Sequence, residues 1–159
     1  MTLTVDVTFS EDIEAADDEV PEPELLRTWA AASYLKHPED AADAIVSVLV
    51  SSLQEIQQLN KQYREKDKAT NVLSFPMSLP DEVGLQILGD IVLCAAKINE
   101  EAGQQSKSAH AHWAHMVIHG MLHLQGYDHI DNKDAEDMET LEIEILKSLD
   151  FDSPYQQDS

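Results

Sequence analysis

The pattern of apolar residues predicts four short strands in the first part of the chain. The stretch LTVDVTF, residues 3–9, has apolar side chains at every second position, as in a strand with one buried face. AIVSVLV, residues 44–50, is a short run rich in β-branched residues. NVLSFP, residues 71–76, predicts a strand that ends at its proline, and LQILGDIVLCA, residues 85–95, contains a strand that continues into a helix near Ala95.

Four other segments have apolar residues at the spacing of amphipathic helices. They are PEPELLRTWAAASYL (21–35), SSLQEIQQLNKQYR (51–64), HWAHMVIHGMLHLQG (112–126) and NKDAEDMETLEIEILKSLD (132–150). Pro21 or Pro23 falls in the first turn of the first segment. Ser51 or Ser52 can cap the second, and Gly126 is a natural end for the third. The residues expected to face inward are Leu53, Ile56, Leu59, Met138, Leu141, Ile145 and Leu149.

The order of these elements predicts one α+β domain that spans residues 1–159. Strands are concentrated early in the chain and helices late, so a small mixed β-sheet packed against helices is expected. The acidic stretch that ends at Glu19 and the segment SLPDEVG, residues 78–84, are predicted to be loops. The tail, residues 151–159, is expected to be frayed.

Composition limits the class of protein. The chain has 159 residues, of which 43% are apolar, enough for one folded domain with a real core. Its longest apolar run, residues 44–50, is far too short to cross a membrane. The N-terminus has neither a basic start nor a long apolar stretch, so no secretory signal is expected. Cys94 is the only cysteine, which excludes an internal disulfide and a Cys-rich zinc site and favours a cytoplasmic location.

The net charge of −21 predicts high solubility and, taken alone, argues against binding to nucleic acid, because phosphate binding relies on Lys and Arg. The distribution of charge changes this picture. KQYREKDK, residues 61–68, carries four of the ten basic residues, including Arg64, one of only two arginines. Arg is well suited to bidentate contact with phosphate. The segment is therefore a basic island on an acidic chain.

Three histidines in HGMLHLQGYDH, residues 119–129, have the spacing of metal ligands. His119 and His123 are four residues apart, so on a helix their imidazoles lie on one face and can reach one ion. A third ligand cannot come from further along the same straight helix. Gly126 allows the chain to turn back, and His129 then completes the set. Nitrogen ligands without sulfur favour Zn²⁺, one per chain, although Ni²⁺, Cu²⁺ or Fe²⁺ could occupy such a site.

Three neutral imidazoles leave one coordination position open, which favours a catalytic ion over a structural one. A water in that position would have a pKa lowered toward 7 and would act as a nucleophile. Asp128, Asp131 or another histidine could close the site instead. The histidine spacing also matches that of metzincin proteases. Their general-base glutamate is replaced here by Gly120, so a zinc peptidase is a weaker alternative.

Together these segments resemble the YbeY family, the bacterial rRNA maturation endoribonucleases. The resemblance rests on HGMLHLQGYDH (119–129), LNKQYREKDKATNVLSFP (59–76), LGDIVLC (88–94) and HWAHMVIHG (112–120). Three positions depart from the usual family pattern. Glu65 replaces a usual Gly, Ala69 a usual Pro, and Asn71 a common Asp. The metal motif itself is intact.

The resemblance implies a single-domain, metal-dependent endoribonuclease specific for single-stranded RNA, with no DNA or membrane partner expected. It would act in 16S rRNA 3′-end maturation and late 70S ribosome quality control, with ribosomal proteins and a ribosome-assembly GTPase as partners. It places the zinc ligands at His119, His123 and His129 and a functional arginine at Arg64. An assembly factor with a mainly structural zinc remains an alternative.

Other residues have weaker roles in this interpretation. Lys61, Lys66 and Lys68 could hold phosphates that flank the cleaved bond. His112 and His115 lie on the same helical stripe as the ligands and could support them, but ordinary packing or surface exposure is the simpler expectation. Asp128 could orient a ligand, accept a proton or serve as a turn residue. Trp29 and Trp113 are expected in the core.

Overall fold

The chain is described by a computed structural model over residues 3–11, 13, 20–35, 43–77, 85–127 and 132–152. Its elements are β1 (Leu3–Phe9), α1 (Pro23–Ala32), β2 (Asp43–Ser51), α2 (Leu53–Arg64), β3 (Val72–Pro76), β4 (Leu85–Cys94), α3 (Ala95–Gln104), α4 (Ala109–Leu124) and α5 (Asn132–Ser148). The four predicted strands and the predicted helices are confirmed. Most of the predicted acidic loop, the predicted loop at 78–84 and the tail from 153 lie outside the described residues. At the start of the predicted tail, Phe151 packs half-buried against the main core. No helix within these ranges is both long and apolar enough to cross a membrane.

The four strands form one sheet in the order β1-β2-β4-β3. β1, β2 and β4 are parallel, and β3 is antiparallel to β4 at the edge. The expected mixed sheet of an α+β domain is therefore confirmed. Gly89 has a φ of +134°, and a Cβ atom there would lie 2.1 Å from the Phe75 carbonyl oxygen, so only glycine allows this close pairing of β3 with β4.

The two faces of the sheet are covered differently. On one face, Val46, Val48 and Leu93 pack against α1 and α4 in the main core, which also buries Trp29 and Trp113 as predicted. On the other face, a smaller cluster forms under α2 around Ile56 and contains Leu73, Val92 and Cys94. The sheet therefore lies between α4 on one face and α2 on the other. Both helices carry candidate functional residues.

Helix α4 is buried along most of its length and ends where the sequence predicts. From residue 112 to 124, every residue except His119 and His123 is buried. Beyond Leu124, the Tyr127 N–H donates to the Leu122 carbonyl at 3.0 Å and the Gly126 N–H to the His123 carbonyl at 3.1 Å. Gly126 has a φ of +100°. These are the two bonds of a Schellman ending, so the glycine stops the helix directly after the histidine pair.

The inward positions predicted for the helices are mostly confirmed. In α5, Met138 and Ile145 are buried, while Leu141 and Leu149 pack half-buried against the same core. In α2, Ile56 is fully buried and the Ser52 side chain accepts the Glu55 N–H at 3.1 Å as the helix cap. The prediction for Leu53 is wrong. It is the first residue of the helix and is 45% exposed.

The C-cap of α2 is strained in a way that a single substitution should relieve. Glu65 adopts the left-handed conformation, with φ 58° and ψ 28°, a conformation that costs non-glycine residues about 1–2 kcal/mol. We expect Glu65→Gly to raise the free energy of unfolding by about 0.5–1 kcal/mol in urea titrations, the gain being reduced by the flexibility of glycine in the unfolded chain. Glu65→Gln removes the charge but keeps the strain, so an equal gain in that variant would contradict the explanation.

Candidate active site

His119 and His123 face each other on the partly exposed side of α4. Their ring centroids are 4.5 Å apart, and the two Nε2 atoms are separated by 3.0 Å. Two nitrogens bound to one tetrahedral zinc ion would lie about 3.4 Å apart, given bond lengths of about 2.0–2.1 Å. Two nitrogen lone pairs at this separation repel each other unless a proton or a cation lies between them. The pair therefore fits the neighbouring ligands of one metal ion.

The predicted third ligand, His129, lies outside the described residues, as do Asp128 and Asp131. Within the part of the chain that the structure describes, no group of three His, Cys, Asp or Glu side chains is arranged to hold an ion. The structure thus brings together two of the three histidines that the sequence predicts as ligands. The assignment of His129 as the third ligand stays a prediction.

A buried glutamate holds the first histidine of the pair in place. Glu142 of α5 is fully buried and accepts hydrogen bonds from His115 Nε2 and, at 3.2 Å, from His119 Nδ1. Burial by itself raises the pKa of Glu142, but the hydrogen bonds from the two histidines outweigh it and lower the pKa to about 2. The carboxylate is therefore ionised and can only accept hydrogen bonds.

This contact determines which nitrogen of His119 is available. Because Glu142 only accepts, Nδ1 of His119 must donate to it, and Nε2 faces His123. Carboxylates in this position orient metal-binding histidines and raise their basicity. Sequence reasoning missed Glu142. The signal was its position in α5, where Met138, Glu142 and Ile145 follow the spacing of the buried face.

For His112 and His115, the expectation of packing in the interior is confirmed, and that of surface exposure is wrong. Both are buried, and each faces a carboxylate. His115 shares Glu142 with His119, while His112 Nε2 lies 3.0 Å from Glu101 Oε1. Burial lowers the pKa of His112, and the hydrogen bond to Glu101 only partly offsets this. Along α4, His112 therefore contacts the carboxylate of Glu101, and His115 and His119 contact that of Glu142.

The departure at Asn71 is explained by the same network. Its Nδ2 donates to Glu101 Oε1 at 3.1 Å, the oxygen that also faces His112. An aspartate at this position would place a second carboxylate against Glu101 without the N–H that now satisfies it. The asparagine thus suits the glutamate with which it pairs.

Arg64 lies in the same pocket as the histidine pair. The pocket has a volume of about 400 Å³, and its walls include Arg64, Ser74, His119, His123 and Tyr127. Arg64 Nη2 donates to the Ser74 carbonyl at 2.5 Å, and its Cζ lies 5.2 Å from the centroid of the Phe75 ring. The guanidinium is held by the edge strand, so a positive charge stands beside the two imidazoles.

The three predicted phosphate-binding lysines lie on the surface and are not among the residues that line this pocket. Lys61, Lys66 and Lys68 are all exposed, and Lys61 Nζ lies 3.9 Å from Asp67 Oδ2. An exposed pair at that distance is weak and leaves the amine accessible. Of the four basic residues in residues 61–68, only Arg64 therefore lines the pocket.

Gly120 faces the sheet, and this explains why no larger residue takes the place of the protease glutamate. A Cβ atom at this position would lie 2.9 Å from Ile91 Cγ2, in the core. Its carbonyl accepts a hydrogen bond from Ser74 Oγ at 3.4 Å, which ties α4 to β3. A side chain at 120 would collide with β4, so the chemistry of a zinc peptidase has no base at this position.

Known proteins resemble this chain over nearly its full length. Residues 12–150 match the family model described as Endoribonuclease YbeY. A protein named Endoribonuclease YbeY from Cellvibrio japonicus is 47% identical over 148 residues, which cover 93% of this chain and 82% of that protein. One of the same name from Idiomarina loihiensis is 46% identical over 156 residues, covering 97% and 92%.

The fold also has a solved counterpart. The solution structure of TM1509 from Thermotoga maritima superposes with a TM-score of 0.56 and 24% identity, over 97% of this chain and 100% of that one. At this level of identity the likeness concerns the fold alone.

The role of Glu142 in holding α5 against α4 can be tested by one substitution. In Glu142→Gln, one amide oxygen must replace two carboxylate oxygens, and the amide N–H₂ meets an imidazole N–H. We expect the free energy of unfolding to fall by about 2–3 kcal/mol, measured in urea by the fluorescence of the buried tryptophans. Glu144→Gln, at an exposed position of the same helix, should change it by less than about 0.5 kcal/mol. Equal effects in the two variants would rule out the proposed contact.

Proposed function

Because the chain belongs to the YbeY endoribonuclease family, we propose that it cleaves single-stranded RNA with the help of one zinc ion per chain. His119, His123 and His129 are the proposed ligands. The observation that carries this proposal is the 3.0 Å separation of the His119 and His123 Nε2 atoms in the pocket that Arg64 also lines. Glu142 supports it, because it leaves the correct nitrogen of His119 available.

Zinc held there would supply Lewis acidity, which activates water as a nucleophile and offsets negative charge that develops on a phosphodiester. The protein's own part is electrostatic and positional. Arg64 would bind a non-bridging oxygen of the scissile phosphate and stabilise its charge in the transition state. Its hydrogen bond to the Ser74 carbonyl and its contact with Phe75 orient the guanidinium before RNA binds, which reduces the entropy lost on binding.

The remaining basic residues would act at the edge of the site. Lys61, Lys66 and Lys68 are proposed to contact phosphates that flank the cleaved bond, where they position RNA without reading its sequence. A net charge of −21 makes unaided binding to RNA weak and strongly dependent on salt. We therefore propose that the biological substrate is delivered by partners.

The cellular role proposed here follows from membership of the family. The substrate would be a precursor of ribosomal RNA, cleaved during 16S rRNA 3′-end maturation, and the protein would also act in late 70S ribosome quality control. Its partners would be ribosomal proteins and a ribosome-assembly GTPase, in the cytoplasm. Without these partners, the negative charge of the domain would repel RNA and slow their association.

Metal analysis tests the ligand set directly. The purified protein is expected to bind about one zinc per chain, and His123→Ala or His129→Ala should weaken zinc binding by about 100-fold or more, measured by competition with a chromophoric chelator. Glu142→Gln should weaken it by about 10- to 100-fold. His110→Ala, an exposed histidine at the other end of α4, is the matched control and should bind zinc as the wild type does. Wild-type affinity in both ligand variants would refute the site.

Replacing Arg64 separates catalysis from a structural role. Arg64→Ala should lower kcat on a single-stranded RNA by about 100-fold or more, with zinc content and thermal stability close to wild type because the residue is exposed. Replacing Lys61, Lys66 and Lys68 together should raise KM and reduce the salt dependence of binding, with kcat little changed. Undiminished rRNA processing by Arg64→Ala would instead support an assembly factor whose metal is structural.

A further inference from the structure

A second groove lies on the far side of the edge strand from the histidine pair, under the C-terminal half of α2. It has a volume of about 480 Å³. Leu49, Leu59 and Tyr63 form apolar walls, while Ser47, Thr8 and Asp90 place polar groups on its floor. We call this space the α2 groove. A concave space with apolar sides and a few polar groups is typical of a site that binds a small molecule.

One exposed wall of the α2 groove is an aromatic ring that packs against a second ring. Tyr63 is 59% exposed. Its ring meets that of Phe75 edge-to-face, with the centroids 5.5 Å apart and an interplanar angle of 67°, a preferred geometry for aromatic pairs. Exposed aromatic rings held in this way are the surfaces on which unpaired nucleobases stack.

The floor of the α2 groove selects the kind of group that can enter. Asp90 is exposed and lies opposite Phe75 in the β3–β4 pairing, so the two side chains share one face of the sheet. Ser47 lies opposite Asp90 on the next strand. An aspartate carboxylate repels a phosphate and accepts hydrogen bonds only. A phosphate is therefore disfavoured on this floor, and a group with N–H donors, such as the edge of a nucleobase, fits it.

One side chain, Arg64, lines the active-site pocket and also contacts Phe75, a residue of the α2 groove. Arg64 lines the pocket with His119 and His123, and its guanidinium also lies over the Phe75 ring, with Cζ 5.2 Å from the centroid. The two spaces lie on opposite sides of β3, within the reach of a single arginine. A strand of RNA with a phosphate at Arg64 could thus place a neighbouring base in the groove.

We propose that the α2 groove is a nucleobase subsite for the nucleotide next to the cleaved phosphate, an inference that rests on the proposed endoribonuclease function. Tyr63 provides the stacking surface, and Asp90 accepts N–H groups from the edge of the base. Guanine presents an imino and an amino N–H side by side and can pair with both carboxylate oxygens. Uracil presents one N–H between two carbonyls, which the carboxylate repels. The subsite therefore favours guanine and disfavours uracil.

Four single-stranded RNA oligonucleotides that differ only in one nucleotide test this subsite. With the zinc-loaded full-length protein and mapping of the product ends, we expect cleavage next to guanine to exceed cleavage next to uracil by about tenfold, the effect of one bidentate contact. Asp90→Asn should abolish most of this preference. Asp6→Asn is the matched control, because Asp6 is exposed and lies opposite Ser47 on β1 but does not line the groove. It should keep the preference.

Stacking is tested separately by RNA affinity at low salt, measured by fluorescence anisotropy. Tyr63→Ala should weaken binding about tenfold for every base, whereas Tyr63→Phe, which keeps the ring, should bind as the wild type does. Equal cleavage next to all four bases, together with unchanged affinity in Tyr63→Ala, would overturn the subsite and leave the endoribonuclease proposal standing. Absence of wild-type cleavage would refute the proposed function, and unchanged affinity in Tyr63→Ala would then refute the subsite as well.

Discussion

The carboxylate of Glu142 lies in the protein interior, where an ionised group is costly unless its hydrogen bonds are satisfied. His115 and His119 satisfy it, and both belong to α4. Helix α5 can therefore dock on α4 in only one register, since a shift of one residue would bury the charge without partners. The same contact fixes the proton of His119 on Nδ1. The packing of two helices and the orientation of a proposed ligand thus depend on one interaction.

The edge strand β3 has a comparable role on the other side of the pocket. Its Ser74 carbonyl accepts a hydrogen bond from Arg64 of α2, and its Ser74 hydroxyl donates to the Gly120 carbonyl of α4. An edge strand presents unpaired backbone groups that must be satisfied or covered. Here an arginine at the end of α2 uses one of them, so the position of its charge depends on where that helix ends. Glu65, in the left-handed conformation, ends the helix directly after Arg64.

Patterns along the chain predicted the strands, the helices and the helix stop at Gly126, because these depend on local periodicity and on backbone freedom. They also placed His119 and His123 together, since a four-residue spacing on a helix leaves little choice. Glu142 was missed because its role depends on how α5 docks 23 residues beyond His119, which no local pattern contains. The position of Arg64 in the same pocket as the histidines likewise depends on the order of the strands in the sheet. Only the family resemblance predicted a functional arginine at this position.

The acidity of the chain bears on how it would recognise RNA. Most proteins gain affinity for nucleic acid by neutralising phosphates and releasing counterions, a source that a net charge of −21 largely removes. Stacking on an aromatic ring and hydrogen bonds to a base edge do not depend on the sign of the surrounding charge to the same degree. A carboxylate such as Asp90 even contributes to base recognition, although it would repel a phosphate. For this chain, the proposed mode of binding shifts from the backbone toward the bases, with Arg64 reserved for the phosphate that is cleaved.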